Sequence, residues 1–170
     1  MRRVIGGAAC GVLAALTMMP ALHAQQAIDP FQTPGWSGSA YLDPRNGTFS
    51  HCAVSSSYSG VALTFTLGPA YDFRIEIGAD DWRLKAGGDY VATVVIDSHQ
   101  PLQVIAAARS TKSIVADFGP DEDIVKELRD GLFLRVLAEN IGLSFSLSGS
   151  SQALIRLRSC VNDHRSQTPR

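Results

Sequence analysis

Asp97-Ser98-His99 sets the three side-chain types of a hydrolytic relay next to one another. In an extended chain consecutive side chains point to opposite faces, so neighbours cannot line up as nucleophile, base and orienter. The tripeptide therefore reads as the polar end of a strand before Pro101. Asp121, Glu122 and Asp123 could suggest calcium, but the pattern of an EF-hand loop fails at Val125 and Lys126, and a helix N-terminus accounts for acids there. Gly35-Trp36-Ser37-Gly38-Ser39 lacks the final glycine of a nucleophile elbow, and there is no HExxH, CxxC or phosphate-binding glycine loop. His51, His99 and His164 have neither a second histidine nor a free cysteine at ligand spacing, so we expect no metal and no cofactor. His51 lies on the strand face opposite Cys52 and is expected as an exposed structural side chain. Asn46-Gly47-Thr48 is expected as a turn. The aromatic residues Trp36, Tyr41, Tyr58, Trp82 and Tyr90 could form a platform for a glycan or peptide; Trp82 alternates with Leu84 and is assigned to the core, which leaves Trp36 and Tyr41 as candidates for a ligand-binding surface.

The elements that would position these residues follow an export-like N-terminus. Arg2 and Arg3 precede an apolar run from Val4 to Met19, broken by Pro20 and followed by Ala21-Leu22-His23-Ala24, the order of a secretory signal. Residues 1–24 are assigned as a signal peptide cleaved after Ala24. The run is interrupted by glycines, which argues against a retained membrane anchor. Cleavage removes Cys10 and leaves Cys52 and Cys160, an even count that an oxidising compartment would pair. The mature protein is expected to be periplasmic or secreted, and not integral to a membrane. The full chain of 170 residues is 45% hydrophobic and 18% charged, with a formal net charge of −1. That composition folds as one domain and supplies no counterion-release force for gripping nucleic acid.

Residues 25–35 carry Pro30 and Pro34 without sustained alternation and are expected as a flexible leader. The domain is expected over residues 36–162, with a disordered tail over 163–170. Within it the dominant period is two: Tyr71, Phe73, Ile75 and Ile77 alternate with polar residues, as do Leu143 to Leu147, and Val61, Leu63, Phe65 and Leu67 alternate with Ala62, Thr64 and Thr66, while Trp82 and Leu84 mark a short strand. Tyr90 to Ile96 is a β-branched run suited to a buried strand. A short helix after Gly119-Pro120 is closed by Gly131, and a second spans about Ser151 to Asn162 with Ser150 as its N-cap. Ala153, Leu154, Leu157, Cys160 and Val161 share one stripe of that helix, and Cys52 shares a strand face with Val54. A Cys52–Cys160 disulfide would pin the last helix over the sheet. The fold class is thus mainly β, an antiparallel sandwich or barrel with two short helices.

His51-Cys52-Ala53, Trp82-Arg83-Leu84 before a Gly-Gly turn, Val95-Ile96-Asp97, Leu128-Arg129-Asp130-Gly131 and the ending FSLSGSSQALIRLRSCV resemble a group of exported, uncharacterised alphaproteobacterial β-proteins. More distantly, the stretch from Phe49 to Val161 is similar to the invasion-associated locus B family of small periplasmic β-proteins, which the resemblance links to host-cell entry. This chain lacks that family's closely spaced early cysteine pair and has Cys52 alone, so the invasion role is not carried over, and the resemblance transfers no catalytic residues. The polar residues are spent on turns and wet strand faces. The expected function is therefore a non-catalytic binding or accessory module of the cell envelope with an envelope or secreted protein partner. The alternatives are an envelope-polymer hydrolase, which would need Asp97 and His99 gathered in one cleft, and a protease or toxin inhibitor, which would need a rigid exposed loop.

Overall fold

A computed structural model describes residues 25–138 and 141–166. Its ten strands are β1 (Gln26–Thr33), β2 (Trp36–Leu42), β3 (Phe49–Tyr58), β4 (Val61–Leu67), β5 (Phe73–Ala79), β6 (Asp89–Ile96), β7 (Leu102–Ala108), β8 (Ser113–Gly119), β9 (Phe133–Ala138) and β10 (Ile141–Ser146). Helix α1 (Glu122–Asp130) lies between β8 and β9, and α2 (Ser150–Arg165) closes the described chain. All strands belong to one sheet in the order β1-β2-β3-β4-β5-β8-β7-β6-β9-β10, each pairing antiparallel. The first five strands form a meander, and β5 to β9 form two overlapping Greek keys.

The period-two reading explains the layers. Ala40, Cys52, Val54, Leu63, Phe65, Phe73, Ile75, Ile77, Ala92, Val94, Leu134, Val136 and Phe145 come from successive strands and enter one continuous core. The sheet folds over this core until its far strands meet its near ones. Tyr58 of β3 packs edge-on against Phe145 of β10 with ring centroids 5.3 Å apart, and its hydroxyl donates to the Ser146 carbonyl at 2.6 Å. Among the described residues β1 pairs only with β2 and β10 only with β9, so the sheet is folded over with two edges and its ladder is not closed into a barrel.

Cys52 is bonded to Cys160, 108 positions away, which fixes α2 across β3. Leu154, Leu157, Cys160 and Val161 are buried there, as the helical stripe requires. Helix α1 is capped by Asp121, whose carboxylate accepts from the N–H groups of Asp123 and Ile124, with Glu122 and Asp123 in its first turn. Gly131 ends it, and a Cβ there would lie 2.8 Å from the Glu127 carbonyl oxygen and from Ile96 Cγ2.

Several expectations require correction. Residues 25–35 are not a leader: Gln26–Thr33 is an edge strand whose Phe31 is buried, and its ladder to β2 overrides the two prolines. The C-terminal boundary also moves, because α2 continues to Arg165 and buries His164 against Phe49. Ser150 is not an N-cap; its hydroxyl donates to the Leu128 carbonyl at 2.8 Å, joining α2 to α1. Gly149 occupies the cap at φ 81°, where a Cβ would collide with the Pro34 carbonyl oxygen. Tyr71 stands outside β5 at φ 63°, and Trp82-Leu84 is a loop. The signal assigned to residues 1–24, and positions 167–170, lie outside the described residues.

Candidate functional site

The residues that suggested chemistry are dispersed. Asp97, at φ 48°, turns its carboxylate onto the N–H groups of Leu132 and Phe133, at 2.9 and 2.8 Å, and those bonds hold its pKa below the usual carboxylate range. Its work is to anchor the start of β9. His99 points instead to α1, where Nδ1 lies 3.0 Å from the Glu127 carboxylate. Among the described residues no hydroxyl hydrogen-bonds His99, and no group of three His, Cys, Asp or Glu side chains is assembled to hold a metal. Asp97 and His99 are therefore not gathered with a nucleophile.

Trp36 does not belong to a ligand surface. It is 3% exposed, stacked on Phe65 at 5.0 Å, and its indole N–H donates to the Ser148 carbonyl at 3.0 Å. Tyr41 is half-buried and stacks at 5.0 Å on His51, directly opposite it in the ladder. His51 is consequently less exposed than expected, with Nδ1 3.0 Å from the Ser50 hydroxyl. Burial, assisted by the Arg74 guanidinium, pushes its pKa below the ordinary histidine value. Asn46-Gly47-Thr48 forms a turn in which the Asn46 side chain accepts from both the N–H and the hydroxyl of Thr48.

Two clefts remain. The first, of about 240 Å³, separates α1 from α2. Its floor is Leu67, Phe73 and Leu157, and its rim mixes the acids of the α1 N-terminus with Lys126, Arg129 and Arg158. That rim is largely self-satisfied: Arg158 binds Glu122 at 2.7 Å, and Arg158 and Arg165 stand over the Tyr71 ring at 5.1 and 4.7 Å.

The second cleft is larger, about 440 Å³, and predominantly apolar. It opens between the folded halves of the sheet, with Ile114 of β8 on one side and Val136 and Leu143 of the β9–β10 hairpin on the other. Its lip is the segment that carries β5 over to β6. Ala79, the last residue of β5, donates to the Lys112 carbonyl and Leu84 to the Thr111 carbonyl, both of the β7–β8 turn, while the Trp82 N–H turns back to the Ala79 carbonyl, so the segment after β5 is held as a loop against that turn. Trp82 and Leu84 are thereby aimed into the mouth, where Tyr90 also lies, its hydroxyl accepting from the Lys85 N–H at 3.0 Å. Among the described residues Asp89 is the one charged residue of the lining. A concave apolar surface of this size with few polar groups suits an apolar ligand or side chain, and among the described residues it offers no acid–base pair.

The sequence matches no family model and no curated protein. The fold, however, is known. A crystal structure of invasion associated protein B from Bartonella henselae superposes with a TM-score of 0.59, covering 80% of this chain and 99% of that one at 16% identity. At that identity the likeness is one of architecture, and it bears out the distant similarity read from the segments between Phe49 and Val161 at that level.

Sequence reasoning found Trp82, Leu84 and Tyr90 but placed the first two on a short core strand. The cleft itself has no local signature, because Ile114, Val136 and Leu143 reach it through the β5-to-β6 crossover and the folding of the sheet. The available hint was the run Gly78-Ala79-Asp80-Asp81 before Trp82 with Gly87-Gly88 after it, more turn-like than a strand flank.

Proposed function

We propose that the protein is an exported, non-catalytic binding or accessory module of the cell envelope that holds an apolar group of its ligand in the cleft behind Trp82. The observation that carries this reading is the cleft: a lining of Trp82, Leu84, Tyr90, Ile114, Val136 and Leu143, open to solvent, in a protein whose candidate catalytic side chains are engaged elsewhere. Export is supported by the charge and hydropathy order of residues 1–24 and by the Cys52–Cys160 bond. It is supported also by the start of β1 at Gln26, since cleavage after Ala24 would leave the first strand whole. A periplasmic or secreted location follows, with an envelope or secreted protein as partner.

Titration with the apolar fluorophore anilinonaphthalene sulfonate tests the cleft. Saturable binding is expected, weakened about tenfold or more by Leu84→Glu, equivalent to about 1.4 kcal/mol. Binding that ignores this substitution would refute the assignment. For export, N-terminal sequencing should recover a chain that begins near Gln25; recovery of Met1 would overturn it.

A further inference from the structure

The two edges of the sheet are treated differently. Edge strand β1 is obstructed: Pro30 has no N–H to offer, Asp29 is at φ 48°, and the register breaks between Ile28 and Phe31. Its flank is also occupied, with Asp29 3.3 Å from His164 and Arg156 over the Phe31 ring at 5.0 Å. Edge strand β10, Ile141–Ser146, has no proline, no charge and no register break against β9.

The direction of its free groups can be deduced. The Leu147 N–H donates to the Leu132 carbonyl, so alternation turns the backbone groups of Leu143 and Phe145 toward β9 and those of Gly142, Ser144 and Ser146 away from it. The Ser146 carbonyl, which accepts the Tyr58 hydroxyl, does point away from β9. Gly142 and Ser144 are exposed, and β9 is the only strand paired with β10 among the described residues.

We infer that a second copy of this chain pairs antiparallel along β10, with Ser144 opposite the partner's Ser144. The strand is compatible with itself. An antiparallel ladder that keeps core-facing residues on one face must pair odd positions with odd and even with even. Centring it on Ser144 places Gly142 opposite the partner's Ser146, sets no charges directly opposite one another, and uses the free N–H and carbonyl groups of Gly142 and Ser144 and the Ser146 N–H, with the Ser146 carbonyl, already an acceptor for the Tyr58 hydroxyl, shared through its second lone pair.

The outer face points to the same occupant. Leu137 lies beside Gly142 and Phe133 beside Ser146 in the β9–β10 ladder, and both are conspicuously exposed, at 49% and 52%. In the dimer each row would run Leu137, Gly142, the partner's Ser146, the partner's Phe133. Two large apolar side chains would then lean toward one another over two small residues, and the two-fold axis would make two such rows. An arbitrary extended peptide would satisfy the backbone but would not bring a Phe133 to each Leu137.

Sedimentation of the exported protein across a concentration range tests this pairing. A species of two chains is expected, and Ser144→Lys, which sets two ammonium groups face to face, should raise its dissociation constant about a hundredfold or more. Ser144→Cys should yield a disulfide-linked dimer on mild oxidation, which keeps the test decisive if the lysine variant folds poorly. Leu84→Glu should leave the dimer intact, so failure of the cleft reading and failure of this one are separable. A monomer at every concentration, a dimer insensitive to Ser144→Lys, or a monomer that binds only an added extended peptide would overturn it.

Discussion

The indole N–H of Trp36 donates to the main-chain carbonyl of Ser148 at 3.0 Å, joining the first residue of β2 to the link between β10 and α2 across 112 positions of sequence. With the Tyr58–Ser146 bond it fastens the folded sheet where its two halves meet. Trp36→Phe keeps an apolar ring on Phe65 but leaves a partly buried carbonyl without its donor, and should cost about 1–3 kcal/mol. Trp36→Ala should cost about 3–5 kcal/mol. Denaturant midpoints decide, and a Phe variant as stable as the wild type would show that the bond contributes nothing.

The Cys52–Cys160 bridge predicts that neither of these two cysteines is a free thiol in the unfolded, unreduced protein. Reduction should lower stability by up to about 4.7 kcal/mol, the chain-entropy value for a loop of about 100 residues. Thiol titration and paired melts with and without reductant test both statements.

Leu157 is 1% exposed on the inner stripe of α2, whereas Ile155, on the same helix, is 61% exposed. Leu157→Asp buries an unpaired charge and should destabilise by about 3 kcal/mol or more, while Ile155→Asp should change stability by only about 0.5 kcal/mol. Equal effects in urea melts would mean that α2 is not docked as described.

A chain begun at Trp36 should be less stable than one begun at Gln25. The shorter chain loses the β1 ladder, buried Phe31 and the Asp29–His164 contact. It also leaves β2 as a new edge. Thermal melts of the two chains compare them directly, and coincident curves would restore residues 25–35 to the role of a leader.

His51 has its pKa lowered in the folded state, chiefly by burial and then by Arg74, with Asp72 acting in the opposite sense. A folded pKa below the unfolded value means that the unfolded chain binds the proton more tightly. The stabilisation is complete above the unfolded histidine pKa, about 6.5, and is lost as pH falls through that value toward the folded pKa. His51→Gln should therefore flatten the fall in melting temperature between about pH 7 and pH 5. An unchanged slope would sink the assignment.

The sequence by itself determined what depends on near neighbours. Alternation fixes the inner face of Leu63, Phe65, Ile75 and Ile77, because side chains two apart on a strand must share a face. Acids after Pro120 mark the start of α1, and helical spacing turns Leu157 and Cys160 the same way, toward the strand that holds Cys52. Only the tertiary structure decided what depends on pairing. Pro30 argued against a strand over residues 25–35 until β2 was present to form the ladder. Trp82 and Leu84 alternate as a strand would, yet the Trp82 N–H turns back to Ala79 and the Leu84 N–H donates to the β7–β8 turn, and both side chains line a cleft. Trp36, in a polar stretch of sequence, is buried because the sheet folds Ser148 back over it. Strand order and folding bring residues on the order of 100 positions apart into contact, and no local pattern encodes which of several equally alternating strands will be neighbours.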